Sequence, residues 1–172
     1  MDITDERPAD RGLIEPIIAR AFGPGRLAKA AERLREGSAP VLSLIAWKAQ
    51  TAVGGVRLWP ISIGETPALL LGPIAVEKAH RNAGIGAALV ARACEAATAA
   101  GHNLVLLVGD EAYFGRLGFS AAPAKRVAMP GPVDQTRVLV RALAPGAAEA
   151  LAGPVMSAAA PAERVSPSLK VA

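Results

Sequence analysis

A chain of 172 residues suits one domain, or one domain with a tail. Hydrophobic residues make up 52% but aromatics only 3%, and 38 residues are alanine, so the apolar excess is small and aliphatic. The formal charge is +4, and 14 arginines against 5 lysines lie scattered, with no basic arm or aromatic platform for nucleic acid.

Cysteine and histidine usage narrows the chemistry further. The single Cys94 excludes a disulfide framework and a cysteine zinc cluster, and His80 and His102 alone argue against a histidine metal site. The charged N-terminus has no signal-like apolar core. The longest apolar stretch, Ala68 to Val76, is too short for a bilayer, which takes about 20 residues. A soluble cytoplasmic protein is the expectation.

In chain order, Asp10 is placed to cap a first helix over 11–22, with Leu13, Ile14, Ile17, Ile18 and Ala21 at helical spacing. Gly23-Pro24-Gly25 stops it, and a second helix is expected over 26–36. Strands follow at 41–47 and 53–63, with Gly54-Gly55 as a bulge. The run 68–76 reads as a strand covered on both faces. Pro73 cannot donate to a ladder, so a bulge or split is expected at Gly72-Pro73. A polar loop over 77–83 leads into a long helix from Gly84 to about Ala100. Its stripe is Ile85, Leu89, Ala93, Ala96 and Ala97, and Gly101 is its C-terminal stop. A strand at 103–108, a short helical piece ending at Gly118-Phe119, and a strand at 136–143 complete the order. Strand, loop, long helix and strand over 68–108 make a crossover between parallel neighbours, whereas the earlier strands are antiparallel. The expected architecture is a mixed α/β sheet, mostly antiparallel, with a central parallel pair and helices on both faces. Residues 145–172 are rich in Ala, Pro, Gly and Ser and read as an extension to a domain over 1–144, with a short edge strand near Pro154-Val155-Met156.

The chemistry concentrates after the 68–76 strand, in Arg81-Asn82-Ala83-Gly84-Ile85-Gly86-Ala87. Glycines at 84 and 86 remove side chains where a helix opens, and the helix N-terminus adds partial positive charge, so the place suits a phosphate or pyrophosphate. A dinucleotide loop is a poor match, because Leu89 occupies its third glycine position and no acidic residue follows at the right spacing. A P-loop motif is absent. The remaining pattern, Arg-x-x-Gly-x-Gly over Arg81–Gly86, closely resembles the acyl-CoA pyrophosphate loop of the GNAT N-acetyltransferase superfamily. The order of elements and the segment Gly115-Arg116-Leu117-Gly118-Phe119 are similar to that family as well. Leu71–Val76 and Val108–Phe119 look like a bacterial subgroup of predicted acetyltransferases.

The resemblance implies a fold and a reaction. Acetyl-CoA would lie in a V between two splaying parallel strands, with Ile74, Ala75 and Val76 along the pantetheine arm. Arg81, Asn82, Ala83, Gly84, Ile85, Gly86 and Ala87 would hold the pyrophosphate. An amine, on a small molecule or a protein, would attack the thioester directly, and no metal would take part. The family's usual acid, a tyrosine four residues before the glycine of Gly-Phe, is here Phe114, with Tyr113 beside it. Tyr113 as acid and Glu77 as base are the catalytic candidates, with Glu65 and Asp110 as lesser ones. Phe114 leaves open the alternative of a silent acyl-CoA sensor or docking module. Cys94 is expected to be buried and inert, His102 structural and Arg116 solvated. A homodimer is compatible with the chain. The acceptor is not encoded in any diagnostic residue.

Overall fold

Hydrophobic periodicity sets the two long helices of the computed structural model, which describes residues 1–159; the remainder of the expected extension, 160–172, lies outside the described residues. In α1 (Arg11–Phe22) the buried residues are Ile14, Ile17 and Ile18. In α3 (Ile85–Ala99) they are Ile85, Leu89, Val90, Ala93, Cys94 and Ala97. Each stripe covers one face of the same sheet, α1 against Ile45 and Ala75 and α3 against Leu44, Val56 and Leu107. The short α2 (Ala30–Arg33) and α4 (Glu111–Phe114) complete the helical set.

The strands are β1 (Asp2–Asp5), β2 (Leu42–Lys48), β3 (Thr51–Ile63), β4 (Thr66–Val76), β5 (Leu104–Val108), β6 (Val127–Ala128), β7 (Val138–Ala142) and β8 (Gly153–Ser157). Along the sheet the order is β1-β2-β3-β4-β5-β7, antiparallel except for the parallel β4–β5 pair. β2 accompanies β3 only as far as Leu58; β8 then takes the same edge at Ile61–Ile63 and runs parallel to β6. Leu151 and Val155 are buried there. The expected mixed sheet with helices on both faces is therefore the fold. Among the described residues no helix is long and apolar enough to cross a membrane.

Several local expectations are corrected. β1 was not expected, because its residues are mostly exposed and carry no apolar alternation; it is held by pairing with β2 and by the Trp47 indole N–H donating to the Thr4 hydroxyl at 3.0 Å. The second helix shrinks to a 3₁₀ turn (Pro24–Ala28) and the single turn of α2, because the backbone is extended at Lys29 and drops Ala30 and Leu34 into the core. Asp10 does not cap α1; its carboxylate turns back to Arg7, accepting the backbone N–H at 3.1 Å and the guanidinium at 2.8 Å. The extra residue in β3 is Val53, next to the glycine pair, since Ala46 faces Gly54 and Trp47 faces Ala52. The glycines serve close approach instead. A Cβ on Gly55 would lie 2.6 Å from Ile14 Cδ1, and one on Gly54 would lie 2.8 Å from the Ala75 carbonyl oxygen.

One charge cluster, built around the buried Arg57, ties these layers together. Arg57 is 9% exposed and bonds Glu6 at 2.8 Å and also Glu15 of α1. Glu15 in turn meets Arg26 at 3.5 Å. The cluster thus connects the N-terminal segment, β3, α1 and the turn after it.

Candidate active site

The parallel pair parts almost as soon as it forms. Only Leu69–Val105 and Leu70–Leu106 are in register between β4 and β5. Beyond them β4 carries its bulge where one was expected: Val56 faces Ile74 and Leu58 faces Leu71, so Gly72-Pro73 is set against Arg57 alone. The freed Gly72 carbonyl accepts the Trp59 indole N–H at 2.6 Å. After the bulge, Glu77 donates its backbone N–H to the Val53 carbonyl at 2.8 Å. Backbone direction alternates along a strand, so Ala75 also faces β3, whereas the N–H and C=O groups of Ile74 and Val76 face the gap between β4 and β5. The Val76 carbonyl accepts the Arg81 Nε–H at 3.2 Å.

The loop after β4 ends in an open helix terminus. Asn82 has φ 66° and Gly84 has φ 75°, a left-handed value that favours glycine. Among the described residues no side chain caps α3, and the Ala88 N–H makes the bond back to the Gly84 carbonyl, at 3.0 Å. The amides of Ile85, Gly86 and Ala87 precede that bond and are the terminal donors of the helix. They border a cavity of about 640 Å³ with Arg81 and Asn82 on one side and Arg116 and Leu117 on the other. Among the described residues no Asp or Glu lines it. Free N–H groups, the helix dipole and two guanidinium groups without a carboxylate fit a multiply charged anion.

A second cavity of about 740 Å³ fills the V itself. Leu70, Leu71, Pro73, Ile74, Leu107 and Val108 form its apolar floor, and Gly109, Asp110, Tyr113 and Phe114 form one end. The opposite wall comes from Phe22, the 26–35 segment and the 132–137 segment. Tyr113 lines both cavities. Its hydroxyl lies 3.0 Å from where a Gly86 Cβ would stand, and Arg116 stacks on its ring at 5.7 Å. Phe114 packs against Gly109, where a Cβ would come within 2.4 Å of its ring, and meets Tyr113 and Phe119 edge-on at 4.9 and 6.1 Å.

Most of the candidates named from the sequence converge. Ile74 borders the V; Val76, Arg81, Asn82, Gly84, Ile85, Gly86 and Ala87 border the anion cavity; Tyr113 joins the two. Three do not line either cavity. Ala75 is buried against α1, and Ala83 is exposed in the loop. Glu77 is held in an ion pair by Arg20 of α1. Glu65 sits in the β3–β4 turn, away from both cavities, whereas Asp110 reaches the V and accepts the Ala112 N–H at 2.9 Å. Arg116 is exposed, as expected, and also borders the anion cavity; its place three residues after Tyr113, on the same helical face, is the available signal for the second point. Arg35 and Lys29 carried no such signal, because only the packing of the 24–35 segment brings them to the V. Cys94 is buried, and burial pushes its thiol above the usual range. Among the described residues no three or more His, Cys, Asp or Glu side chains converge as a metal site.

Comparison with known proteins agrees with this architecture. Residues 41–121 match a family model described as an acetyltransferase (GNAT) domain. The chain is 27% identical over 156 residues to the uncharacterized N-acetyltransferase YhbS of Escherichia coli, covering 89% of this chain and 93% of that one. The crystal structure of YhbS in complex with CoA superposes with a TM-score of 0.78 at 26% identity, over 91% of this chain and 88% of that chain. A GNAT family acetyltransferase from Brucella melitensis, in complex with acetyl-CoA, superposes with a TM-score of 0.68 at 26% identity, over 94% and 96%. The chain is thus similar over most of its length to N-acetyltransferases of the GNAT family, and its residues 41–121 match that family's domain model.

Proposed function

We propose that this chain transfers an acetyl group from acetyl-CoA to a primary amine by direct attack. The observation that carries the reading is the joining of an anion cavity at the α3 N-terminus to an apolar V whose edge presents the Ile74 and Val76 backbone, with Tyr113 at the junction. Acetyl-CoA supplies an activated thioester there. The donor set suits it: orphan amides, Arg81 and Arg116 for the diphosphate, and unpaired strand edges for an amide-bearing arm. That the two relatives above were crystallised with CoA and acetyl-CoA supports the same choice.

The chain's residues divide the work. Backbone N–H groups at the gap edge of β4 orient the acyl carbonyl and accept its developing charge. The Tyr113 hydroxyl donates to the leaving sulfur. Asp110 receives the amine proton on the carboxylate oxygen that the α4 cap leaves free, Oδ1 being the one that accepts from Ala112. Glu77, bound to Arg20, steadies the start of the anion loop against α1.

Thermal unfolding with acetyl-CoA, and with NAD as control, tests the reading. A ligand at 100 times its dissociation constant adds about 2.7 kcal/mol, or about 5–10 °C for a chain of this size. Stabilisation by acetyl-CoA alone, followed by thiol release with an amine, is the expected result. No shift with acetyl-CoA would sink it. Phe114 favours a second reading, a silent acyl-CoA sensor; stabilisation without thiol release from any amine would select that one.

A further inference from the structure

The charges around the V are unevenly satisfied, and on the amine-transfer reading just given this identifies the acceptor class. Among the described residues three carboxylates border the cavity, and each has at least one oxygen engaged. Glu32 accepts from Arg35 at 2.8 Å. Asp110 caps α4. Asp134 accepts the Thr136 N–H at 3.0 Å and its hydroxyl at 2.7 Å.

The cations are less fully matched. Among the described residues neither Lys29 nor Arg137 has a carboxylate within 4.0 Å, and the Lys29 ammonium has only the Phe22 ring, at 5.9 Å. The Arg35 side chain is 12% exposed, and among the described residues its buried Nε–H has no acceptor. Its terminal nitrogen lies 2.9 Å from where a Gly72 Cβ would stand, so the guanidinium rests on the β4 bulge, where the V opens. A buried guanidinium N–H with no acceptor is costly, and a planar anion is its natural partner.

We infer that the acceptor is a small amine carrying an anionic group, carboxylate or phosphate, that pairs with Arg35 at the bulge while Lys29 and Arg137 guard the rim. In the reaction the amine nitrogen bonds to the thioester carbon as the carbon–sulfur bond breaks. The proton lost from nitrogen is balanced by the one gained at sulfur, so an amide and a free thiol are the products. The cationic wall also disfavours the ammonium form of an incoming amine, which leaves it neutral for attack. A polycationic acceptor meets repulsion from the same wall.

The test uses the full chain, acetyl-CoA and matched amines: γ-aminobutyrate against butylamine, O-phosphoethanolamine against ethanolamine, and spermidine as the polycation. Thiol release gives kcat/KM for each; for a pair that is not turned over, the melting shift of the CoA-bound protein replaces it. At least one anionic member should be preferred by about tenfold or more, the size of one charge-assisted hydrogen bond, and the pair that shows it identifies the anion. Arg35→Met should bring that ratio to about one. Lys29→Met, at an exposed position that keeps the fold, should reduce it less. Equal use of both members in both pairs, or spermidine as the best acceptor, would overturn the inference. Stabilisation by acetyl-CoA is read separately in every variant. If it persists while the anionic preference is missing, only this inference fails; if the wild-type chain shows neither stabilisation nor thiol release, the transferase reading fails with it.

Discussion

The two cavities are built in opposite ways. The anion cavity comes mainly from one contiguous stretch, Val76 to Ala87, and its chemistry is largely backbone: a left-handed glycine, a helix terminus and the amides that it leaves free. The V gathers four separated segments, near residues 22–35, 70–74, 107–114 and 132–137, and its chemistry is carried by side chains. A backbone site of local origin tolerates change in the rest of the chain. A side-chain site assembled over long range is free to vary its polar wall, and the inferred acceptor selectivity is assigned to that wall.

Four changes separate the two regions, in descending order of expected effect. The first addresses the V. Asp110→Asn keeps the cap of α4, because asparagine caps as well as aspartate, but cannot accept the amine proton. Turnover should fall by about 100-fold or more, with acetyl-CoA stabilisation unchanged. A rate within a factor of two of wild type would remove Asp110 from the chemistry.

The second addresses the anion cavity. In Gly86→Val the new Cβ arrives 3.0 Å from the Tyr113 hydroxyl and fills the space before the helix amides. Acetyl-CoA stabilisation should shrink from about 2.7 kcal/mol to near zero at the same ligand concentration, while the unliganded melting temperature changes little. Retained stabilisation would show that the anion does not sit at this terminus. The companion variant Tyr113→Phe should lower kcat by about tenfold and leave acetyl-CoA affinity within about twofold, because the ring, its stacking with Arg116 and its contact with Phe114 all remain.

The smallest effect concerns what supports the V. Burial alone would raise the Glu6 carboxyl, but hydrogen bonds from Arg57 and Ser43 outweigh it and hold the group below the usual carboxylate range. A folded value below the unfolded one stabilises the fold above the unfolded value, near 4.5, and that contribution is lost as pH falls through the folded value. Melting temperature should therefore drop as pH falls below 4.5, and Glu6→Gln should flatten that slope. Arg57 reaches the V through Glu15 and Arg26. Glu6→Gln should accordingly raise the acceptor KM while acetyl-CoA affinity stays in place, and a matched loss of both would erase the distinction between the two regions.

Much of this molecule is determined by the sequence alone. Apolar period placed α1, α3 and the two strands that flank the crossover. The Gly72-Pro73 pair announced the bulge, because proline cannot join a ladder. Arg81–Ala87 announced the glycine turn and the helix start after β4, because both are local properties. What only the tertiary structure decided is nonlocal. β1 exists through an edge that β2 offers, Gly55 is required by Ile14 of α1 packing on it, and Gly54 by the close Ala75 carbonyl of β4. Glu77 was drawn out of the site by Arg20, 57 residues away in the chain. Arg35 and Lys29 became part of the V because the backbone turns at Lys29 and lays the 30–35 segment over the bulge. Periodicity and turn chemistry act over a few residues, whereas partners for charges are chosen by packing, and one sequence does not reveal which distant side chains packing will bring together.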